Sequence, residues 1–154
     1  MNSKLLLLSL CLCGFLNTYS QVGQDYFFLD EGIEEIEPFN ALIPQVESSR
    51  IFRIDGFSPS AVKQISAQLD GLHVRELRLF VLTKPGAMVF NSQSVATENE
   101  NEWSSDMEAW GASTIQRVVI YSNDVFSGKE GILLKQRLES VTGLEFSTQS
   151  INHY

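Results

Sequence analysis

Val118-Val119-Ile120-Tyr121-Ser122-Asn123-Asp124-Val125-Phe126-Ser127-Gly128-Lys129-Glu130-Gly131 is the stretch whose reading decides the fold. Its first four residues are β-branched or aromatic without a polar interruption, the pattern of a strand buried on both faces. Ser-Asn-Asp then turns the chain, and Ser127-Gly128-Lys129-Glu130 fits the S-x-x-E capping box that opens a helix. Leu134, Leu138 and Val141 line the inner face of that helix, and Gly143 ends it. A buried strand feeding straight into a helix is the repeating step of an α/β sheet.

The same step recurs outward from this stretch. Leu77 to Leu82 reads as a strand, Lys84-Pro85-Gly86 as a turn, and Ala87 to Phe90 as a further short strand. Residues 91–101 are polar and read as an exposed loop. Trp103, Met107 and Trp110 recur at i, i+4 and i+7, an amphipathic helix ended near Gly111 whose aromatics belong to a core rather than to a sugar platform. Ile51 to Ile54 is a strand closed by Asp55-Gly56. The helix after it takes Ser58 as cap and Pro59 at its first position, with Val62, Ile65 and Leu69 on one face before Gly71. Tyr26 to Leu29 is a strand running into Asp30-Glu31-Gly32, and Ile36, Phe39, Ala41, Leu42 and Ile43 make one face of a short helix up to Pro44. Leu144 to Ser147 is the last strand, with a polar tail from Thr148. This alternation predicts a three-layer α/β sandwich on a mainly parallel sheet.

Residues 1–20 read as a secretory leader: Lys4 is the positive n-region, Leu5 to Phe15 the apolar run, and Thr18 and Ser20 the small residues before a cut at Gln21. The apolar run is shorter than the roughly 20 residues a spanning helix needs. Lipidation is disfavoured because Leu10 and Leu12, not small residues, precede Cys11 and Cys13. Residues 21–154 then form one domain, exported to the periplasm or secreted, with no membrane insertion after cleavage. Both cysteines leave with the leader, so no disulfide, thiolate ligand or cysteine nucleophile is expected. The chain has 11 basic against 19 acidic residues, a net charge of −8 that disfavours nucleic acid and anionic lipid.

The order of segments resembles the uncharacterised (DUF-class) caspase-like domain found near the N-termini of large secreted bacterial adhesin-like proteins, over roughly residues 24–150. In that family the first strand ends in Asp, as Leu29-Asp30 does, and the second in an aspartate-containing turn, as Ile54-Asp55-Gly56 does. Its third strand carries a Ser-His-Gly turn followed by Pro-Gly. Here Val81-Leu82-Thr83-Lys84-Pro85-Gly86-Ala87-Met88 keeps the Pro-Gly alone. A Trp-Gly pair matches Trp110-Gly111, and the stretch from Leu138 into Thr142-Gly143 matches the end of a family helix. The family's Tyr-Gly-Cys-Asn turn and Gly-Glu helix start match Tyr121 to Asp124 and Gly128 to Glu130. The resemblance therefore implies a caspase-like fold in which the histidine position is Leu82 and the cysteine position is Asn123. Leu cannot act as a base and an Asn amide is not a useful nucleophile, so cysteine-peptidase activity is expected to be absent.

No other residue clearly restores the chemistry. His73 lies about 30 Å of strand before Leu82, and His153 is in the polar tail. Ser122 and Ser127 lie near the vestigial site, but a serine nucleophile needs a base and no histidine is nearby in sequence to provide it, and Ser127 is better used as a cap. The acidic runs Asp30, Glu31, Glu34, Glu35, Glu37 and Glu98, Glu100, Glu102, Asp106, Glu108 lack calcium-loop spacing and read as solvated faces. Nothing places two carboxylates across a cleft for glycoside hydrolysis, and no phosphate-cradling glycine motif is present. No metal and no cofactor is expected. Ligands of open α/β sheets favour the carboxyl ends of strands, so Thr83, Ser122 and Asp124, beside Leu82 and Asn123, are the expected binding residues. The expected function is an exported, catalytically inactive caspase-like module that binds a protein or peptide. The alternatives are a hydrolase using Ser122 or acidic residues in the same cleft, and a structural envelope- or adhesion-associated protein.

Overall fold

The computed structural model describes residues 23–33, 46–57 and 59–150. In chain order they form β1 (Gln24–Asp30), β2 (Ile51–Ile54), α1 (Ala61–Leu69), β3 (Val74–Phe80), β4 (Leu82–Lys84), β5 (Ala87–Val89), β6 (Ser94–Ala96), α2 (Ser104–Gly111), β7 (Arg117–Tyr121), α3 (Gly128–Thr142) and β8 (Glu145–Gln149). The leader, both cysteines, the expected helix around Ile36 to Ile43, Ser58 and His153 lie outside the described residues.

Five strands make one sheet in the order β2-β1-β3-β7-β8, every neighbouring pair parallel. The order reverses direction once, between β1 and β3. Right-handed crossovers then require the β1-to-β2 connection on one face and all later connections on the other. Packing agrees. Tyr26, Phe28, Leu77, Leu79, Val118, Ile120 and Phe146 point to a core shared with α1, α2 and α3. On the opposite face Phe27, Leu29, Phe80 and Tyr121 pack with Ile51 of β2 and with Ile33 and Val46, which flank the β1-to-β2 connection. The fold is thus a mixed α/β sandwich on a mainly parallel sheet, as the alternation predicts.

That second face changes character along the strands. Towards their amino ends it carries ions: Arg75 makes two hydrogen bonds to Asp25, at 2.8 and 2.9 Å, while buried Glu76 pairs with both Arg78 and Arg117. Arg78 also lies over the Phe27 ring and donates to Tyr121 Oη at 2.8 Å. Burial alone would raise the Asp25 carboxyl, but the Arg75 hydrogen bond and the charges of Arg78, Arg75 and Arg117 outweigh it and hold the group below its ordinary value.

Several boundaries differ from expectation. β3 stops at Phe80, and Leu82 opens β4 instead of ending β3, because the chain leaves the parallel sheet and pairs Leu82 with Val89 in an antiparallel hairpin. Residues 91–101 are not simply an exposed loop: Val95 and Ala96 are buried where β6 pairs with β5. α1 begins at Ala61 behind Ser60, two residues after Pro59. Ser127 precedes α3, but its side chain makes no cap hydrogen bond. Gly128 enters at φ +66°, outside the helical region, and the first turn closes through Gly131 N–H to the Ser127 carbonyl rather than through the Ser127 side chain. β8 extends through Thr148 to Gln149. Trp103, Met107 and Trp110 are core residues, as their spacing indicates.

Candidate functional site

The small antiparallel sheet β4-β5-β6 stands at the carboxyl ends of the parallel strands, and two contacts fix it there. Gly86 at φ +78° follows Pro85 in the β4–β5 turn, and its N–H donates to Val125 O at 3.0 Å. A Cβ on Gly86 would lie 2.6 Å from Glu130 Cβ, so the turn sits against α3 only because the residue is glycine.

The second contact is Asp30, at the end of β1. It is fully buried, its Oδ1 accepting Gly32 N–H at 3.0 Å and its Oδ2 accepting Asn91 N–H at 3.1 Å. The acidic run beginning at Asp30 is therefore not solvated throughout. The Asn91 loop that Asp30 holds lies against Gly32 and Gly56, which follow the carboxyl ends of β1 and β2. Sequence reasoning missed this role. The one signal was Leu29-Asp30 ending a strand, which by itself does not distinguish a buried acid from an exposed one.

Elsewhere on this rim the structure brings Thr83, Ser122 and Asp124 together. Ser122 Oγ is 2.8 Å from Thr83 Oγ1 and 3.2 Å from Asp124 Oδ1, and Thr83 Oγ1 donates to Asp124 Oδ1 at 3.0 Å. Ser122 Oγ also accepts the N–H groups of Asp124 and Val125 at 3.1 and 3.0 Å. A hydroxyl has one proton and two lone pairs. With both lone pairs taken by backbone N–H, the Ser122 proton is left to Thr83 Oγ1 or Asp124 Oδ1, and Asp124 Oδ1 also accepts from Thr83. Ser122 is only 2% exposed. It terminates β7 and shapes the turn into α3, leaving no free lone pair for attack on a carbonyl.

Leu82 and Asn123 flank this cluster. Leu82 is 49% exposed at the edge of the hairpin, and Asn123 is exposed and accepts Ser150 Oγ–H at 2.8 Å. Thr83 and Ser122, their chain neighbours, are in contact, so both positions belong to one stretch of rim. Neither side chain is an imidazole or a thiol.

His73 is remote. It precedes β3 at the amino end of the sheet, where its carbonyl accepts Gln24 N–H, and it lines a cavity of about 330 Å³ with Ser66, Trp110 and Thr114. Glu100 pairs with Arg137, and Asp106 with Lys63. Among the described residues no three His, Cys, Asp or Glu side chains group as metal ligands, and no helix is long and apolar enough to cross a membrane. No curated protein and no solved structure matches the chain. A family model described as a domain of unknown function, DUF4347, matches residues 27–152.

Proposed function

Because the chain belongs to the DUF4347 family of domains of unknown function, we propose its role from its own residues: it is an exported module that binds a protein or peptide at the carboxyl rim of its sheet without cleaving it. The observation that carries this reading is the saturation of Ser122, whose lone pairs and proton are all engaged within the fold. A hydrolase in the same cleft would need that oxygen free to attack, and the carboxylate beside it, Asp124, already accepts from Thr83. The rim also offers features of recognition: exposed Leu82 beside the cluster, and, after β2, Phe57 at 77% exposure.

The loop bearing Phe57 is rigidly held. Gln64 of α1 donates to Asp55 Oδ1 and to the carbonyls of Asp55, Phe57 and Pro59, and accepts Asp55 N–H. An exposed aromatic on a fixed loop loses little conformational entropy when it is covered. A caspase-like ancestry with its dyad replaced at Leu82 and Asn123, and export by residues 1–20, belong to the same proposal.

The test is a panel of peptide and ester substrates together with selection from a displayed peptide library. The proposal expects no turnover, and enrichment of peptides that is lost in Leu82→Asp. Turnover abolished by Ser122→Ala would contradict it in favour of a hydrolase. Absence of enrichment would favour a structural envelope role.

A further inference from the structure

Asp124 carries a charge that the fold does not neutralise. Its Oδ1 is pinned by Thr83, while among the described residues Oδ2 accepts no hydrogen bond and no cationic side chain pairs with the carboxylate. The group is partly exposed and already oriented, the condition under which an ion pair with a partner loses least to ordering.

It lies beside an open strand edge. Among the described residues β4 pairs only with β5, and Lys84 and Ala87 flank the two-residue turn. In such a hairpin the flanking residues form the hydrogen-bonded pair, so the next pair, Thr83 and Met88, is the non-hydrogen-bonded one. The backbone N–H and C=O of Thr83 therefore point away from β5, towards the free edge.

Side chains alternate along a strand. That of Thr83 faces Asp124, and those of Leu82 and Lys84 face the other way. A peptide strand laid along this edge would present one side chain to Asp124 and the next to Leu82. A cation suits the first position. The second is apolar, since Leu82 is exposed there and Lys84 repels a second cation.

We propose that the rim takes an extended peptide in which cationic and apolar residues alternate. Its backbone pairs with Thr83 on the edge of β4, a Lys or Arg sits on Asp124, and an apolar neighbour sits on Leu82. The inference rests on reading the rim as a peptide-binding site, and it names the chemistry of the peptide.

The probe is a fluorescein-labelled hexapeptide of alternating Lys and Val, read by anisotropy against the full chain at low salt. Its Glu/Val counterpart and an N-methylated Lys/Val peptide serve as comparisons. The Lys/Val peptide should bind. The Glu/Val peptide should bind at least about tenfold more weakly, and N-methylation should abolish binding by removing the strand-pairing donors. Asp124→Asn keeps an acceptor for Thr83 and should weaken the Lys/Val peptide about five- to tenfold. Asp70→Asn, an exposed position at the opposite end of the sheet, should leave it unchanged. Equal losses in the two variants, or equal binding of the Lys and Glu peptides, would overturn the cation assignment while peptide binding stood. Undiminished binding of the N-methylated peptide would overturn the strand pairing. Binding of none of the three peptides, with no enrichment from the displayed library, would remove the peptide-binding reading itself.

Discussion

Ser122 and Asp30 show how much single polar atoms hold at this rim. Ser122→Ala strands two backbone N–H groups and removes one of the two hydrogen bonds of the Thr83 hydroxyl, which keeps Asp124. It should cost about 1–3 kcal/mol, read as a lower urea midpoint with an unchanged slope. Asp30→Ala removes the acceptor of both Gly32 and Asn91 N–H and should cost a similar amount, about 1–3 kcal/mol, with the largest gain in amide exchange at residues 87–96. The sequence allowed Thr83, Ser122 and Asp124 to be singled out because they abut a strand end and a turn. It could not place Asp30, because its two partners are backbone groups, and a backbone N–H sixty-one positions away leaves no mark on the order of side chains.

Among the elements, the parallel strands were the most legible, because strands buried on both faces are continuous apolar runs. β2 begins and ends where Ile51 and Ile54 indicate, and β7 differs by one residue. The small sheet was hardest to read. β6 is only Ser94–Ala96, and its buried Val95 and Ala96 are embedded in polar sequence too short to show a period. Capping was misread at α3 because a motif in the letters does not fix the backbone angles that make it work. The contact between α2 and α3 depends on Gly111, where a Cβ would come within 1.9 Å of Thr142 O. Gly111→Ala should therefore destabilise by about 1–3 kcal/mol or more, since backbone rather than a mobile side chain must move; thermal melts beside an exposed alanine control would measure it.

At the scale of the whole molecule, the sheet joins an apolar core on its helical face to an ionic network on part of the other. Asp25, held below its ordinary value of 3.8, contributes stability that is present above the unfolded pKa and lost as the pH falls through the folded one. Asp25→Asn should thus unfold more readily than the parent at pH 7, and the two denaturation midpoints should converge as the pH falls through the lowered folded-state pKa of Asp25. The sequence foresaw an acidic chain but not this network, since its pairs arise from register between β1, β3 and β7. The same register sets the rim, where strand ends, hairpin and turn meet in a cluster of mutually bonded Thr83, Ser122 and Asp124 beside an exposed, apolar and anionic edge.

The most direct test of that claim is a ¹⁵N-resolved NMR titration of the chain with the Lys/Val hexapeptide, following protein amides and peptide signals together. The account predicts shifts centred on Leu82, Thr83 and the turn from Ser122 to Val125, with the peptide intact throughout. Shifts centred on the His73 cavity, or peptide signals giving way to cleavage products, would contradict it.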